Sequence, residues 1–217
     1  MKLLTILLCL ITIGLSAQSK RVTEKVDVNG QSRLKLEFAF ADLIEFKSWD
    51  KNEILVQVDV EINDGEHNDI FSLNSSKTTS TVYIEMDKDM WNKVDRDWRR
   101  RNNTWRSEIN YAVFLPEGIE VEANTISGDY EFEYFGSVMR LKTISGAIDM
   151  TVPLNEGLDF RAKTISGEVY SDIEIKFPYG KEGLRQIVGQ KVYGRISDGG
   201  KELSFETISG DIYLRKK

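Results

Sequence analysis

The chain has 217 residues and a formal net charge of −6, with 35 acidic side chains against 29 basic ones. A net acidic surface argues against general nucleic-acid binding, which depends on a basic face that neutralises phosphates. The chain has three prolines and no long helical periodicity, so nothing points to a second, helical domain. Its length suits one all-β domain with a continuous core.

The first segment is typical of a secretory signal peptide. A lysine at position 2 precedes an apolar run from Leu3 to Leu15, and Ser16-Ala17-Gln18 follows. Because this run is too short for a transmembrane span, we expect residues 1–17 to be removed. Cleavage would also remove Cys9, the only cysteine, and leave no disulfide or thiol chemistry. A cysteine-free exported protein fits the bacterial periplasm, the outer-membrane surface or secretion.

The mature chain, residues 18–217, is expected to form a single domain with an irregular, β-rich N-terminal half. Residues 21 to 122 alternate apolar and polar side chains in short runs. A period of two predicts strands that bury one face, and the turn-rich residues between runs predict strand–turn–strand connections. The clearest runs are Leu34–Phe38, Ile54–Ile62, Thr81–Met86 and Ile109–Leu115.

Two features of this half resemble metal sites, and both lack the required spacing. Residues 63–69 are rich in oxygen ligands, yet they lack the spaced acidic series and final glutamate of a calcium loop. His67 is the only histidine and has no cysteine partner in the mature chain, which argues against a zinc site. We predict no metal and no cofactor.

The segment from Asp87 to Arg106 is unusual because three tryptophans recur at spacings of seven among basic residues. Seven lysines and arginines against four aspartates give 7 − 4 = +3 in an otherwise acidic protein. Exposed aromatic rings can stack on sugars, and arginine clusters clamp carboxylates or phosphates, so an anionic glycan or a lipid headgroup would suit this segment. The candidate ligand-binding residues are Trp91, Trp98, Arg99, Arg100, Arg101 and Trp105.

A structural interpretation of the same segment stays open beside the ligand hypothesis. It can form a long hairpin between the strands predicted at 81–86 and 107–115, with its tryptophans capping the end of the core. It can also form a short helix, because a spacing of seven places the three tryptophans on one helical face. In both cases the rings would serve folding rather than binding.

Four copies of Thr-Ile-Ser-Gly occur in the second half of the chain. Their glycines are 18, 21 and 43 residues apart, since 146 − 128 = 18, 167 − 146 = 21 and 210 − 167 = 43. An alternating run precedes each copy and another follows, so the unit is two short strands joined at a corner that glycine permits. A period near 20 indicates a stacked β array. The corner glycines are Gly128, Gly146, Gly167 and Gly210, with isoleucines Ile126, Ile144, Ile165 and Ile208 two residues before them.

The repeats predict an all-β fold, a parallel β-solenoid of two-strand repeats of about 20 residues, with regular coils over residues 121–217. An antiparallel β-sandwich is the alternative. Because one repeat cannot bury its apolar face alone, coils stacked in chain order would place the four isoleucines in an inward ladder. The threonines and serines would then satisfy the corner backbone. The interval of 43 residues predicts a further, degenerate corner at Gly194.

The repeats carry no catalytic pattern. A Ser-His-Asp triad in each repeat is impossible with one histidine, and no Gly-x-Ser-x-Gly elbow is present. A phosphate loop needs a lysine and a helix start after its glycines, and neither follows. The acidic residues that come after the glycines, at 129, 168 and 211, are interrupted by Ala147. We therefore predict that the protein is not an enzyme.

Several stretches together resemble a bacterial family of exported proteins labelled putative adhesins. They are Asp42–Trp49, the Val-Phe-Leu-Pro-Glu-Gly sequence at 113–118, the repeated Ile-Ser-Gly and the terminal Ser-Gly-Asp-Ile-Tyr-Leu. The resemblance extends over nearly all of residues 25–215. It implies a β-solenoid fold of β-strand repeats, no established activity and no catalytic residues.

The sequence therefore favours an exported β-repeat protein of the bacterial envelope that acts as a non-enzymatic adhesion, binding or structural module. Its partner is unknown; an envelope glycan, a lipid headgroup or a surface protein is expected, without nucleic acid and without a transmembrane segment after cleavage. One alternative is a polysaccharide-acting β-helix enzyme, which would need convergent carboxylates on one sheet face. Another is an accessory protein of envelope stress or signalling.

Overall fold

The alternating runs form strands throughout a computed structural model that describes residues 19–94, 105–153, 156–177 and 190–217. The protein is all-β, as predicted. In the described ranges no helix is long and apolar enough to cross a membrane. The strands are β1 (Lys20–Asp27), β2 (Arg33–Trp49), β3 (Glu53–Ile62), β4 (Leu73–Lys77), β5 (Thr81–Met86), β6 (Ser107–Pro116), β7 (Glu120–Glu133), β8 (Met139–Lys142), β9 (Ile148–Val152), β10 (Leu158–Thr164), β11 (Val169–Ser171), β12 (Gln190–Ile196), β13 (Lys201–Glu206) and β14 (Ile212–Lys216), with 3₁₀ helices at Asn68–Ile70 and Met90–Lys93.

The long strand β2 organises the N-terminal half because it pairs along two separate stretches. Its parallel register with β7 shifts between Phe40 and Leu43, which divides it at a bulge. The first stretch also pairs with β5, and the second with β6, both in parallel. From β6 the sheet continues through β3 to β1 as antiparallel pairs. The bulge thus allows the two stretches of one strand to pair with different partners.

The Thr-Ile-Ser-Gly copies divide the repeat strands into two rows of parallel pairs. The first row holds the stretches before each corner, in the order β2, β7, β8, β13, β10. The second row holds the stretches after it, in the order β2, β7, β9, β14, β11. The buried core lies between the rows, where the ring of Phe132 meets that of Phe205 edge to face at 6.1 Å.

The sheet as a whole is mixed, which corrects the finer fold prediction. The two rows are parallel, but β12 pairs with β10 in antiparallel register and β3 pairs in antiparallel register with both β1 and β6. A complete parallel β-solenoid is therefore not shown. The parallel rows are equally inconsistent with a purely antiparallel sandwich.

The coils do not stack in chain order. Strand β13 lies between β8 and β10, because Leu203 pairs with Met139 on one side and with Phe160 on the other. The corners follow the same order, since the amide of Ser209 donates to the Ile144 carbonyl at 2.8 Å and the amide of Ser166 donates to the Ile208 carbonyl at 2.8 Å. The C-terminal repeat is thus inserted between the second and third repeats.

The isoleucines of the repeats point outward, so the predicted inward ladder is wrong. Their exposed fractions are 46% for Ile126, 44% for Ile144, 43% for Ile208 and 41% for Ile165. The strand alternation that buries the side chains of 158, 160 and 162 continues to Thr164 and only then turns the next residue outward. All four repeat threonines are consequently buried.

The buried threonines bond one coil to the next. The Thr207 hydroxyl donates to the Gly146 carbonyl at 3.1 Å, and the Thr164 hydroxyl donates to the Gly210 carbonyl at 2.9 Å. This agrees with the prediction that threonine hydroxyls satisfy backbone groups at the corners. A hydroxyl that is buried with its partner in this way avoids the desolvation penalty of an unpaired group.

The repeat glycines are required by close approach between coils. A Cβ on Gly210 would lie 2.6 Å from the carbonyl carbon of Gly146, and a Cβ on Gly146 would lie 2.7 Å from that of Gly128. Of the four repeat glycines, only Gly128, at the bulge beside Ala41, has a left-handed φ, of +127°. The degenerate corner predicted at Gly194 is wrong, because this residue lies inside β12, opposite Phe160.

Candidate binding face

Two tryptophans of the segment predicted as a ligand site lie in its described parts, residues 87–94 and 105–106. Trp91 is half-buried against the core and meets Phe40 edge to face at 5.4 Å. Trp105 packs edge to face on Trp91 at 4.8 Å and stacks on His67 at 5.8 Å. The structure thus brings these two predicted residues together in one aromatic cluster, in which Trp105 is 37% exposed. The other candidates, Trp98, Arg99, Arg100 and Arg101, lie outside the described residues.

The outer face of the first row carries charges of alternating sign that pair with one another. Glu120 accepts from Arg33 at 3.2 Å and also pairs with Arg140, whose guanidinium reaches Glu202 at 3.7 Å. Partial burial opposes ionisation of Glu120, but the hydrogen bonds from Arg140 and Arg33 outweigh it and lower its pKa. This face is largely self-compensated, as expected of a solvated sheet surface.

The outer face of the second row is different, because carboxylates of like charge lie side by side. Glu45 is in register with Glu131, and Glu131 is in register with Asp149. Like charges directly opposite one another on neighbouring strands destabilise a sheet. A face that retains them therefore departs from what stability alone would select.

A cleft of about 710 Å³ lies over this face. Three of its carboxylates are held by cations: the Arg215 guanidinium contacts Asp149 at 2.7 Å, the Lys47 ammonium contacts Glu45 at 2.9 Å, and Glu133 pairs with Lys217. Glu131, between them, makes no ion pair with any described residue. The cleft thus presents both fixed ion pairs and an unpaired acceptor to a ligand.

Two tyrosines continue the row past Asp149. Tyr213 pairs with Asp149 in the strand register, and Tyr170 follows it on the next strand. Their rings stack at 5.2 Å with an interplanar angle of 10°, and the Arg215 guanidinium lies 5.1 Å over the Tyr213 ring. Tyr170 is 46% exposed. Together the rings form an aromatic surface beside the cleft.

Both phenols donate hydrogen bonds to neighbouring carboxylates. The Tyr213 hydroxyl donates to Asp211 at 2.9 Å, which raises the pKa of Tyr213. A hydrogen bond to Glu168 raises the pKa of Tyr170 to about 12.

Sequence reasoning missed this face, although a signal for it was present. Glu131, Asp149, Tyr170 and Tyr213 each stand three residues after a repeat glycine. Aligning the four copies on their glycines would have placed these side chains in one row. The residues directly after the four glycines form no continuous row of carboxylates, because Ala147 stands at this position in the second repeat.

No protein-family model and no curated protein matches the sequence. Among solved structures, the fold is similar to that of a putative cell adhesion protein from Clostridium sporogenes. The TM-score is 0.54 at 14% identity, over 92% of this chain and 100% of that chain. This similarity concerns the fold, and it agrees with the family resemblance drawn from the sequence.

Two further structures superpose more weakly. One is a putative adhesin from Bacteroides fragilis, with a TM-score of 0.33 at 10% identity over 91% of this chain and 98% of that chain. The other is a putative lipid binding protein from Parabacteroides distasonis, with a TM-score of 0.30 at 11% identity over 91% and 96% of the two chains. At these TM-scores neither establishes a shared fold.

Proposed function

We propose that the protein is an exported, non-enzymatic binding module of the bacterial envelope that holds a glycan on the outer face of its second row. The observation that carries this proposal is the row Glu131, Asp149, Tyr213 and Tyr170 beside a cleft. Aromatic rings offer a flat apolar surface to the carbon–hydrogen face of a sugar. Carboxylates and a guanidinium fixed beside them supply acceptors and donors for its hydroxyls.

The charge of the cleft narrows the class of glycan. Its lining includes five carboxylates and two cations, and Lys217 pairs with one of the five, Glu133, which gives 3 − 5 = −2. An anionic polymer would be repelled, while a neutral or amino-bearing sugar would not. The ligand expected of this face therefore differs from the anionic one that the arginines at 99–101 would suit.

The adhesive role and the export rest on separate support. The Clostridium sporogenes protein of similar fold is named a putative cell adhesion protein, and residues 1–17 have the pattern of a signal peptide. Mass spectrometry of the protein recovered from the envelope fraction of a bacterial host tests the second point. We expect a mature form that begins at Gln18; recovery of the uncleaved chain from the cytoplasm would contradict it.

A glycan screen with matched variants tests the binding face. Neutral and amino-bearing glycans should bind the wild type, and Tyr213→Ala should weaken binding about tenfold, because a lost aromatic contact of about 1–1.5 kcal/mol corresponds to that factor. Tyr193→Ala is the control, since Tyr193 is 52% exposed on β12 of the other face. Equal binding by both variants would remove the second-row face from consideration.

One observation favours a second candidate, a polysaccharide-acting enzyme. Glu45, Glu131 and Asp149 form the row of carboxylates on one sheet face that such an enzyme needs. Incubation of the protein with each glycan that it binds, followed by analysis of the products, distinguishes the two functions. Cleavage that is abolished in Glu131→Gln would establish the enzyme and overturn the non-enzymatic proposal.

A further inference from the structure

A second pair of aromatic rings lies on the outer face of the sheet, on the far side of the cleft from the two tyrosines. The residues on either side of Phe114 point into the core, so Phe114 itself points outward on β6. Its ring meets that of Trp49, on β2, at 5.3 Å with an interplanar angle of 32°. We call this pair the Trp49–Phe114 platform.

The platform is held in place by its neighbours. Nε1 of Trp49 donates to the Glu53 carbonyl at 2.8 Å, which fixes the indole ring. Leu55, on β3, is in register with Phe114 and half-buried, so it extends the apolar surface by one strand. Outward positions of a solvated sheet are usually polar. Rings that are fixed in advance lose little freedom when a ligand stacks on them.

Cations lie over the platform, as the Arg215 guanidinium does over the tyrosine pair. The Lys47 ammonium is 5.8 Å from the centre of the Phe114 ring. The Lys51 ammonium is 4.5 Å from the centre of the Trp49 ring. Both lysines also pair with carboxylates of the sheet and have side chains about half exposed or more. Exposed cation–π contacts and surface ion pairs are weak, so a ligand can displace these lysines from the rings.

The outer face has the same order of groups in both directions from Glu131 on β7. The adjacent strands, β2 and β9, each carry an ion-paired carboxylate, and the strands beyond them, β6 and β14, each carry an aromatic ring. The path is slightly oblique, because Phe114 is in register with Lys47 rather than with Glu45. Four strand spacings of about 4.8 Å separate β6 from β14, so the two aromatic pairs are about 19 Å apart across the strands. A single sugar ring cannot reach both.

We propose that the ligand is a linear glycan that lies across the strands, with sugars stacked on both aromatic pairs and its middle over Glu131. This inference rests on the proposed function, because it extends the same binding face to β6. A face that repeats its groups on both sides of a centre fits a ligand that is itself built of repeating units. Each aromatic pair alone binds weakly, and a chain that occupies both gains affinity because its second contact is intramolecular.

Oligosaccharides of graded length test the span. Cellulose oligosaccharides provide a neutral linear series and chitosan oligosaccharides an amino-bearing one. Isothermal titration calorimetry gives the affinity of each length, from the disaccharide upward. We expect the affinity of at least one series to rise about tenfold or more at the length that first covers about 19 Å, because a second aromatic contact is then made. Affinity that is independent of length in both series would overturn the proposal.

Two substitutions of Phe114 separate the effect of its ring from that of its packing. Phe114→Leu keeps an apolar side chain but removes the ring, while Phe114→Tyr keeps the ring. Phe114→Leu should weaken binding of the long oligosaccharides about tenfold, and Phe114→Tyr should leave it nearly unchanged. The disaccharide still finds the tyrosine pair, so its affinity should change less. Thermal unfolding of both variants establishes that the fold is retained.

Failure of this proposal can be told apart from failure of the proposed function. Binding that depends on Tyr213 at every length, and is equally strong in Phe114→Leu, would overturn the extended site and leave the binding face standing. The same conclusion would follow if another glycan of the screen binds but neither linear series does. If no glycan binds, or if Tyr213→Ala binds as tightly as the wild type, both proposals fail.

Discussion

Replacing Gly210 by alanine should be among the most destabilising single-methyl additions in the chain. The new Cβ would lie 2.6 Å from the Gly146 carbonyl carbon and closer still to its oxygen. Ordinary contact begins near 3.4 Å, so the coils must separate by at least 3.4 − 2.6 = 0.8 Å. The Ser209–Ile144 backbone hydrogen bond, now 2.8 Å, would lengthen to about 3.6 Å and be lost.

The expected loss follows from these displacements. The Thr207 hydroxyl bond to the Gly146 carbonyl, at 3.1 Å, would also break, and two lost hydrogen bonds amount to about 2 kcal/mol. Overpacking of a rigid site adds about 1–3 kcal/mol. Alanine also reduces the conformational freedom of the unfolded chain, which offsets about 0.4–1 kcal/mol of this destabilisation. We expect the free energy of unfolding of Gly210→Ala to fall by about 3 kcal/mol, a large part of the stability of such a domain.

Urea unfolding followed by tryptophan fluorescence measures this loss, with Gly30→Ala as the control. Gly30 has a φ of +93°, and a Cβ added to it would meet no atom within 4 Å, so alanine there introduces strain without a clash. That strain is worth about 1–2 kcal/mol. If Gly210→Ala destabilised the protein no more than Gly30→Ala, close stacking of the coils would not be the reason for the repeat glycines.

Further predictions concern single contacts. Thr207→Val should lower the free energy of unfolding by about 1–2 kcal/mol while Thr207→Ser has a smaller effect, because only valine leaves the Gly146 carbonyl without its buried donor; urea titrations of both variants check this. Trp91→Ala should lower it by about 2 kcal/mol or more through lost packing, and a loss of ligand binding without lost stability would contradict the structural role. Because the folded pKa of Glu120 lies below its ordinary value of 4.5, its ion pairs stabilise the protein above that pH and the effect disappears as the pH falls through the folded pKa. Glu120→Gln should therefore reduce the loss of the free energy of unfolding at acid pH by less than about 1 kcal/mol. A pH dependence of stability identical to that of the wild type would refute this assignment.

Local pattern was sufficient to predict the strands but not their order. The run predicted at Thr81–Met86 coincides with β5, and Ile54–Ile62 falls within β3. Each repeat has nearly the same local pattern, so that pattern does not reveal which repeat stacks on which. The position of β13 between β8 and β10 is decided by long-range strand pairing, which the period of the repeats does not predict.

The prediction of an inward isoleucine ladder is wrong because strand alternation continues through Thr164. Period-two alternation placed Ala162 and Thr164 on the buried face, and the same rule carries Ile165 outward. Hydrophobicity favoured burying the isoleucine, but strand geometry and the threonine hydroxyl bond decided the outcome. The candidate face was missed for a related reason: its residues are far apart in sequence and come together only through the register of the second row.

Hydroxyl-radical footprinting of the tyrosines tests the central claim that the second-row face is where ligand binds. With a glycan that binds the wild type, Tyr170 and Tyr213 should be protected on saturation while Tyr193, of similar exposure to Tyr170, stays unchanged. The account predicts that protection is half-maximal at the glycan concentration at which binding is half-maximal. Protection of Tyr193 or Trp105, with Tyr170 and Tyr213 still reactive, would contradict it.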